Sequence, residues 1–119
     1  MSFIAKALVI FVAIEHIAFL VLEMFLWTKP QGRAVFRTTP EQAEQTKVLA
    51  ANQGLYNGFL AAGLLWAALL VPPYAKALAM FFLGCVIVAG IFGAATVNKR
   101  ILFVQALPAV VAFAAVLLS

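Results

Sequence analysis

The stretch FIAKALVIFVAIEHIAFLVLEMFLW, residues 3–27, decides the fold. It is apolar throughout except for Lys6, Glu15, His16 and Glu23. Crossing a hydrocarbon core as a helix takes about 17–25 residues, and this run is that long. Its apolar residues are continuous rather than alternating, which specifies a helix rather than a barrel strand. Three further segments repeat the pattern: Val48 to Val71, Ala75 to Val97, and Ile101 to Leu118. The expectation is an all-α polytopic membrane protein. One antiparallel bundle of four transmembrane helices fills residues 1–119, with spans at about 3–27, 48–71, 75–97 and 101–118.

The composition agrees. Of 119 residues, 66% are apolar and 10% are charged, against about 25% charged in an ordinary soluble domain. A soluble domain this small has too much surface to bury so many apolar side chains. The same excess excludes disorder. The single cysteine, Cys85, excludes a disulfide scaffold. The chain is basic, but no basic stripe lies on a polar fold, so nucleic acid is not an expected partner. Lys6 precedes an apolar run with no small-residue cleavage site, so that run reads as a retained span and not a signal peptide.

The positive charge reads as topology. Lys29, Arg33, Arg37 and Lys47 lie between the first two spans, and Lys99 and Arg100 between the last two. An even number of spans separates these links, so they share one side of the membrane. Lys6 and Lys76 mark the other. The positive-inside rule places loops 28–47 and 98–100 in the cytoplasm of a bacterial inner (plasma) membrane, with both termini outside. Thr39-Pro40-Glu41-Gln42 reads as a capping box, starting the second helix near Pro40. Pro72-Pro73 ends that helix. Residues Gln31 to Arg37 read as a surface loop, and Pro108 as a kink in the last helix.

Two small-residue stripes, one centred on Gly54 and Gly58 and one on Gly90 and Gly93, permit close helix approach. Packing inside the bundle is one use of them; homo-oligomerisation is the other.

The polar residues concentrate in two places. In the first span His16, Leu20, Glu23 and Trp27 are spaced four, three and four, so they share a face, with Glu15 on its edge. In the second, Asn52, Gln53, Tyr56 and Asn57 form another polar face. Glu23, Asn52 and Gln105 each sit roughly 6 Å inside the cytoplasmic end of their helix, whereas Glu15 and His16 lie roughly 16–18 Å deep. A charged residue at mid-span costs about 2.5–3.5 kcal/mol on an insertion scale, so such residues usually face an interior or a wet cavity. These positions together suggest a polar funnel that opens near the cytoplasmic face and ends at Glu15 and His16. Glu15, Glu23 and His16 are the candidate acid/base groups; Trp27, Asn52, Gln53, Tyr56, Asn57 and Gln105 are the candidate ligand contacts. With one histidine and no ligand motif, no metal is expected, and no cofactor-binding motif is present.

The runs Glu15-His16-x6-Glu23-Met24-Phe25-Leu26-Trp27, Lys47 to Phe59 and Phe82 to Gly90 resemble a family of small bacterial membrane proteins, domain of unknown function 1304. The resemblance covers essentially the whole chain, and the run Asn-Gln-Gly-Leu-Tyr-Asn-Gly carries it most specifically. It implies a four-helix inner-membrane protein and no activity. An architectural likeness extends to sterol isomerase-like membrane proteins, which hold His, Glu, Asn and Trp in an intramembrane cavity. The leading functional expectation is binding, or acid/base transformation, of a small lipophilic ligand among membrane lipids. A proton-coupled transporter and a structural accessory subunit are the alternatives.

Overall fold

A computed structural model describes all 119 residues. The chain is helical throughout: α1 (Phe3–Met24), α2 (Pro30–Phe36), α3 (Pro40–Leu69), α4 (Tyr74–Thr96), a π-helical turn (Leu102–Ala106) and α5 (Leu107–Leu118). Both α1 and α4 are long and apolar enough to cross a membrane. Only 28% and 22% of their most apolar windows are buried, whereas the core helix of a soluble protein would be mostly buried. The last apolar helix, Leu102–Leu118, is shorter. Polar Asn52, Gln53 and Asn57 interrupt α3. Length and apolarity thus single out two of the four expected spans.

Contacts divide the chain into two compact units, Met1–Ala13 with Leu60–Ser119, and Ile14–Phe59. In the first, each helix buries one narrow stripe. Ala5, Val9 and Val12 on α1, Leu64, Ala67 and Ala68 on α3, Ala79, Leu83 and Val86 on α4, and Ala109, Ala112 and Val116 on α5 form its core. The spacing of three and four is that of one helix face. Large side chains on the other faces, among them Phe81, Val88, Phe92 and Val110, are exposed. Helices α4 and α5 form an antiparallel hairpin. Lys76 at the start of α4 donates to the carbonyls of Leu117 (3.1 Å) and Ser119 (2.9 Å) at the end of α5. These carbonyls have no partner within the helix, and a cation suits that end of the dipole.

Close approach in this hairpin depends on glycine. A Cβ on Gly90 would lie 2.8 Å from Ala106 Cβ and 3.0 Å from its backbone nitrogen. The Gly90 stripe is therefore filled from within the chain.

Pro108, expected to kink the last helix, follows a local change of winding. Pro108 has no N–H, and its ring crowds the carbonyl four residues back. The turn before it is wound wide, with the Leu107 N–H donating to Leu102 five residues earlier. A single π-helical turn accommodates the misfit.

In the second unit the end of α1 runs antiparallel to the start of α3. The capping box forms as expected: Gln42 N–H donates to Thr39 Oγ1 (3.1 Å), and Thr39 N–H donates to Gln42 Oε1 (3.0 Å). Helix α3 begins at Pro40 and ends at Leu69, just short of the proline pair. Two expectations need correction. The first helix stops at Met24, not Trp27, and the segment read as a surface loop is α2. Pro30 stands at the first helical position, where its missing N–H costs nothing. Arg37 closes the helix in the left-handed region with φ 55°. Gly32 is buried against the chain leaving α1, where a Cβ would come within 2.0 Å of the Leu26 carbonyl oxygen.

Gly84 and Gly90 lie on the same helix, and a Cβ on Gly84 meets nothing within 4 Å. Gly90→Ala is therefore expected to lose about 1–3 kcal/mol through overpacking. Gly84→Ala is expected to hold or gain stability through helix propensity. Thermal unfolding of both variants in detergent, followed by circular dichroism, checks this; equal melting temperatures would refute the close helix approach.

Candidate functional site

Two amide–glycine pairs one turn apart, Gln53-Gly54 and Asn57-Gly58, build the site around Glu23. Residues four apart lie on one helix face. The glycines remove side-chain bulk from that face, so α1 comes close. A Cβ on Gly54 would meet Met24 Cγ at 2.7 Å, Glu23 Cβ at 3.1 Å and the Leu20 carbonyl at 3.3 Å. One on Gly58 would meet Leu20 Cδ1 at 2.6 Å. At that separation the two carboxamides reach the acid. Gln53 Nε2 donates to Glu23 Oε2 at 2.6 Å, and Asn57 Nδ2 donates to Glu23 Oε1. Glu23 is only 2% exposed. An isolated charge or polar group in such a place is costly unless hydrogen-bonded, and here each carboxyl oxygen has a donor.

One turn further along, Trp27 fixes the join. Its indole Nε1–H donates to Thr46 Oγ1 (3.1 Å), and the Thr46 hydroxyl donates to the Gln42 carbonyl (2.7 Å). The Trp27 ring packs on Phe36 of α2, with centroids 4.8 Å apart. Trp27 thereby ties α2 and α3 to the end of α1. Thr46 and Gly32 escaped the sequence reading. Pro30 at a helix start, followed by a glycine, was the available signal for α2.

Beside Glu23 opens a cleft of about 350 Å³ lined by Glu23, Met24, Phe25, Trp27, Thr28, Lys47, Val48 and Ala51. Such a volume lies at the lower end of small-molecule sites. Its polar lining residues are Glu23, Thr28 and Lys47, with an aromatic and aliphatic remainder. The Lys47 ammonium also pairs with Glu44 one turn back.

The residues expected to line a funnel are not gathered at one place. Glu23, Gln53, Asn57 and Trp27 come together. Asn52 and Tyr56 turn outward and are exposed, with Tyr56 edge-on to Phe59 at 5.8 Å. The two rows differ because neighbouring residues on a helix point about 100° apart. His16 is fully buried, with its ring edge-on to Phe19 at 5.2 Å. Glu15 is half-buried, and its Oε1 is shielded and lacks a hydrogen-bond partner. Neither Glu15 nor His16 lines the cleft. Gln105 is half-buried in the π-helical turn, which belongs to the other unit. No group of three or more His, Cys, Asp or Glu is placed to hold a metal ion.

Removing the acid leaves two amides that face it without an acceptor. Glu23→Ala is expected to cost about 1–3 kcal/mol of stability, and Gln53→Ala or Asn57→Ala about 1 kcal/mol each. A double-mutant cycle on unfolding free energies checks the coupling. Strict additivity between Glu23→Ala and Asn57→Ala would refute the clamp.

The profile of the family described as "Protein of unknown function (DUF1304)" matches residues 10–117. An uncharacterised protein, YpaA, of Lactococcus lactis subsp. lactis (strain IL1403) is 29% identical over 107 residues, covering 88% of this chain and 89% of that protein. No solved structure matches the chain. The chain belongs to the DUF1304 family.

Proposed function

We propose that this family member is a four-span protein of a bacterial plasma membrane whose cleft beside Glu23 holds a small amphipathic ligand. Loops 28–47 and 98–100 face the cytoplasm in this reading, and both termini face outside. Six of the eight basic residues in those two links support the orientation. The bacterial relative and the two long apolar helices support the setting.

The observation that carries the ligand reading is the cleft itself. It joins a buried, hydrogen-bonded carboxyl to an apolar wall of Phe25, Trp27, Val48 and Ala51. A polar head donating to Glu23 would leave its apolar part against that wall. Each carboxyl oxygen has a second lone pair for such a donor. If the ligand is transformed, Glu23 is the acid/base group within reach, and Gln53 and Asn57 hold it in position.

A structural role is the second reading, and one observation favours it: both Glu23 oxygens already accept from α3. Here the acid only joins helices. A bulky residue in the cleft separates the two. Ala51→Phe fills the space and leaves the clamp intact. Mass spectrometry of the lipids retained by the protein in nanodiscs is expected to show one species in the wild type and its loss in Ala51→Phe. An identical lipid profile in both, at equal melting temperature, would leave the structural role standing. Reporter fusions at the two loops read the orientation separately.

A further inference from the structure

We propose that the outward row of α3, Leu49, Asn52, Tyr56 and Phe59, is a dimer interface that takes a second copy of this chain, with Asn52 bonded to the partner's Asn52. The proposal rests on the membrane reading above and on a face of α3 which that reading leaves unused. The run Asn52 to Gly58 carries four hydrogen-bonding side chains. Gln53 and Asn57 donate their amides to Glu23, Gln53 while remaining partly exposed. Asn52 and Tyr56 do not. Gln45, Leu49, Asn52, Tyr56 and Phe59 are all exposed and are spaced four, three, four and three. Leu49 is 72% exposed and Tyr56 57%. That spacing is the seam along which parallel helices pack knobs into holes, crossing at about 20°.

The chemistry of Asn52 selects the partner. Lys47 is the last charged residue of α3, and Asn52 lies five residues deeper, roughly 7.5 Å along the axis. Lipid tails at that depth offer a carboxamide no hydrogen-bond partner. A carboxamide carries a donor and an acceptor, so its partial charges are complementary to a copy of itself. A two-fold axis along the membrane normal brings identical residues to identical depth, and the interface is then self-complementary and closed. A single asparagine in an otherwise apolar seam fixes register and two-strandedness in water-soluble coiled coils, and amides glue helices in membranes. The Tyr56 ring is already held against Phe59, so it enters the seam with little freedom to lose. The glycine faces cannot serve here, because Leu20, Glu23 and Met24 occupy Gly54 and Gly58.

The test is the monomer–dimer equilibrium of the full chain in liposomes, measured by single-molecule photobleaching across protein-to-lipid ratios. The wild type is expected to dimerise. Asn52→Leu is expected to weaken the dimer by about tenfold, and Asn52→Gln to retain part of it. Asn52 is exposed in the monomer, so helicity and melting temperature are expected to stay at wild-type values. Gln53→Leu serves as the contrast: it breaks the Glu23 clamp and leaves dimerisation unchanged. A wild type that stays monomeric at every ratio overturns the proposal. So does a dimer indifferent to both Asn52→Leu and Tyr56→Leu, or a lipid retained by monomers through Asn52. Failure of the ligand reading is recognised separately, because Ala51→Phe alters the cleft and not this row.

Discussion

The Glu23 carboxyl is the constraint around which residues 14–59 are organised. It sits in a mostly apolar helix, and at 2% exposure it has almost no contact with bulk water. Its partners must therefore come from another helix, at hydrogen-bonding range. That range requires the backbones of α1 and α3 to approach more closely than ordinary side chains allow. Gly54 and Gly58 supply the space, and Leu20 fills it from the other side. With the spacing set, Trp27 falls opposite Thr46 one turn on, and α2 is held against the ring of Trp27. The chain of contacts from acid to glycine to indole is geometric, and each contact needs the one before.

Met1–Ala13 with Leu60–Ser119 solves the same packing problem with different chemistry. Alanine dominates its core, and Gly90 lets the Ala106 backbone in. Small side chains let helix backbones approach closely and give dispersion contacts over a large area. Such a surface tolerates many alignments. A carboxyl that must meet two amides tolerates one. Polar contacts thus fix the register of α1 on α3 in residues 14–59, whereas the Lys76 contact at the end of α5 fixes the register of the α4–α5 hairpin.

These differences explain what could be read from the sequence. The Thr39–Gln42 box was legible because both bonds are local to four residues. The grouping of Glu23 with the amides of α3 was legible because apolar runs make polar residues conspicuous. Their division into an inward and an outward row was not. Asn52 and Gln53 are adjacent carboxamides of similar polarity, and only the placement of the glycines after Gln53 and Asn57 tells which row faces α1. Helix α2 was hidden for another reason. Seven residues form no stable helix alone, and this one exists because Gly32 fits over Leu26 and Phe36 over Trp27. The π-helical turn is a consequence of Pro108, but its width depends on the hydrogen bond Leu107 makes backward.

The run Asn52-Gln53-Gly54-Leu55-Tyr56-Asn57-Gly58 now has a physical grammar. Its second, third, sixth and seventh residues meet α1: two donors for one carboxyl, the first of them still partly exposed, each followed by the glycine that brings the carboxyl near. Its first and fifth residues face outward, one turn apart. A helix with period 3.6 cannot rotate to exchange these rows without moving Gly54 and Gly58 away from Leu20 and Glu23. The inward bonds therefore dictate which polar groups are left to the outside. Helix α3 presents Asn52 and Tyr56 because Glu23 requires Gln53 and Asn57.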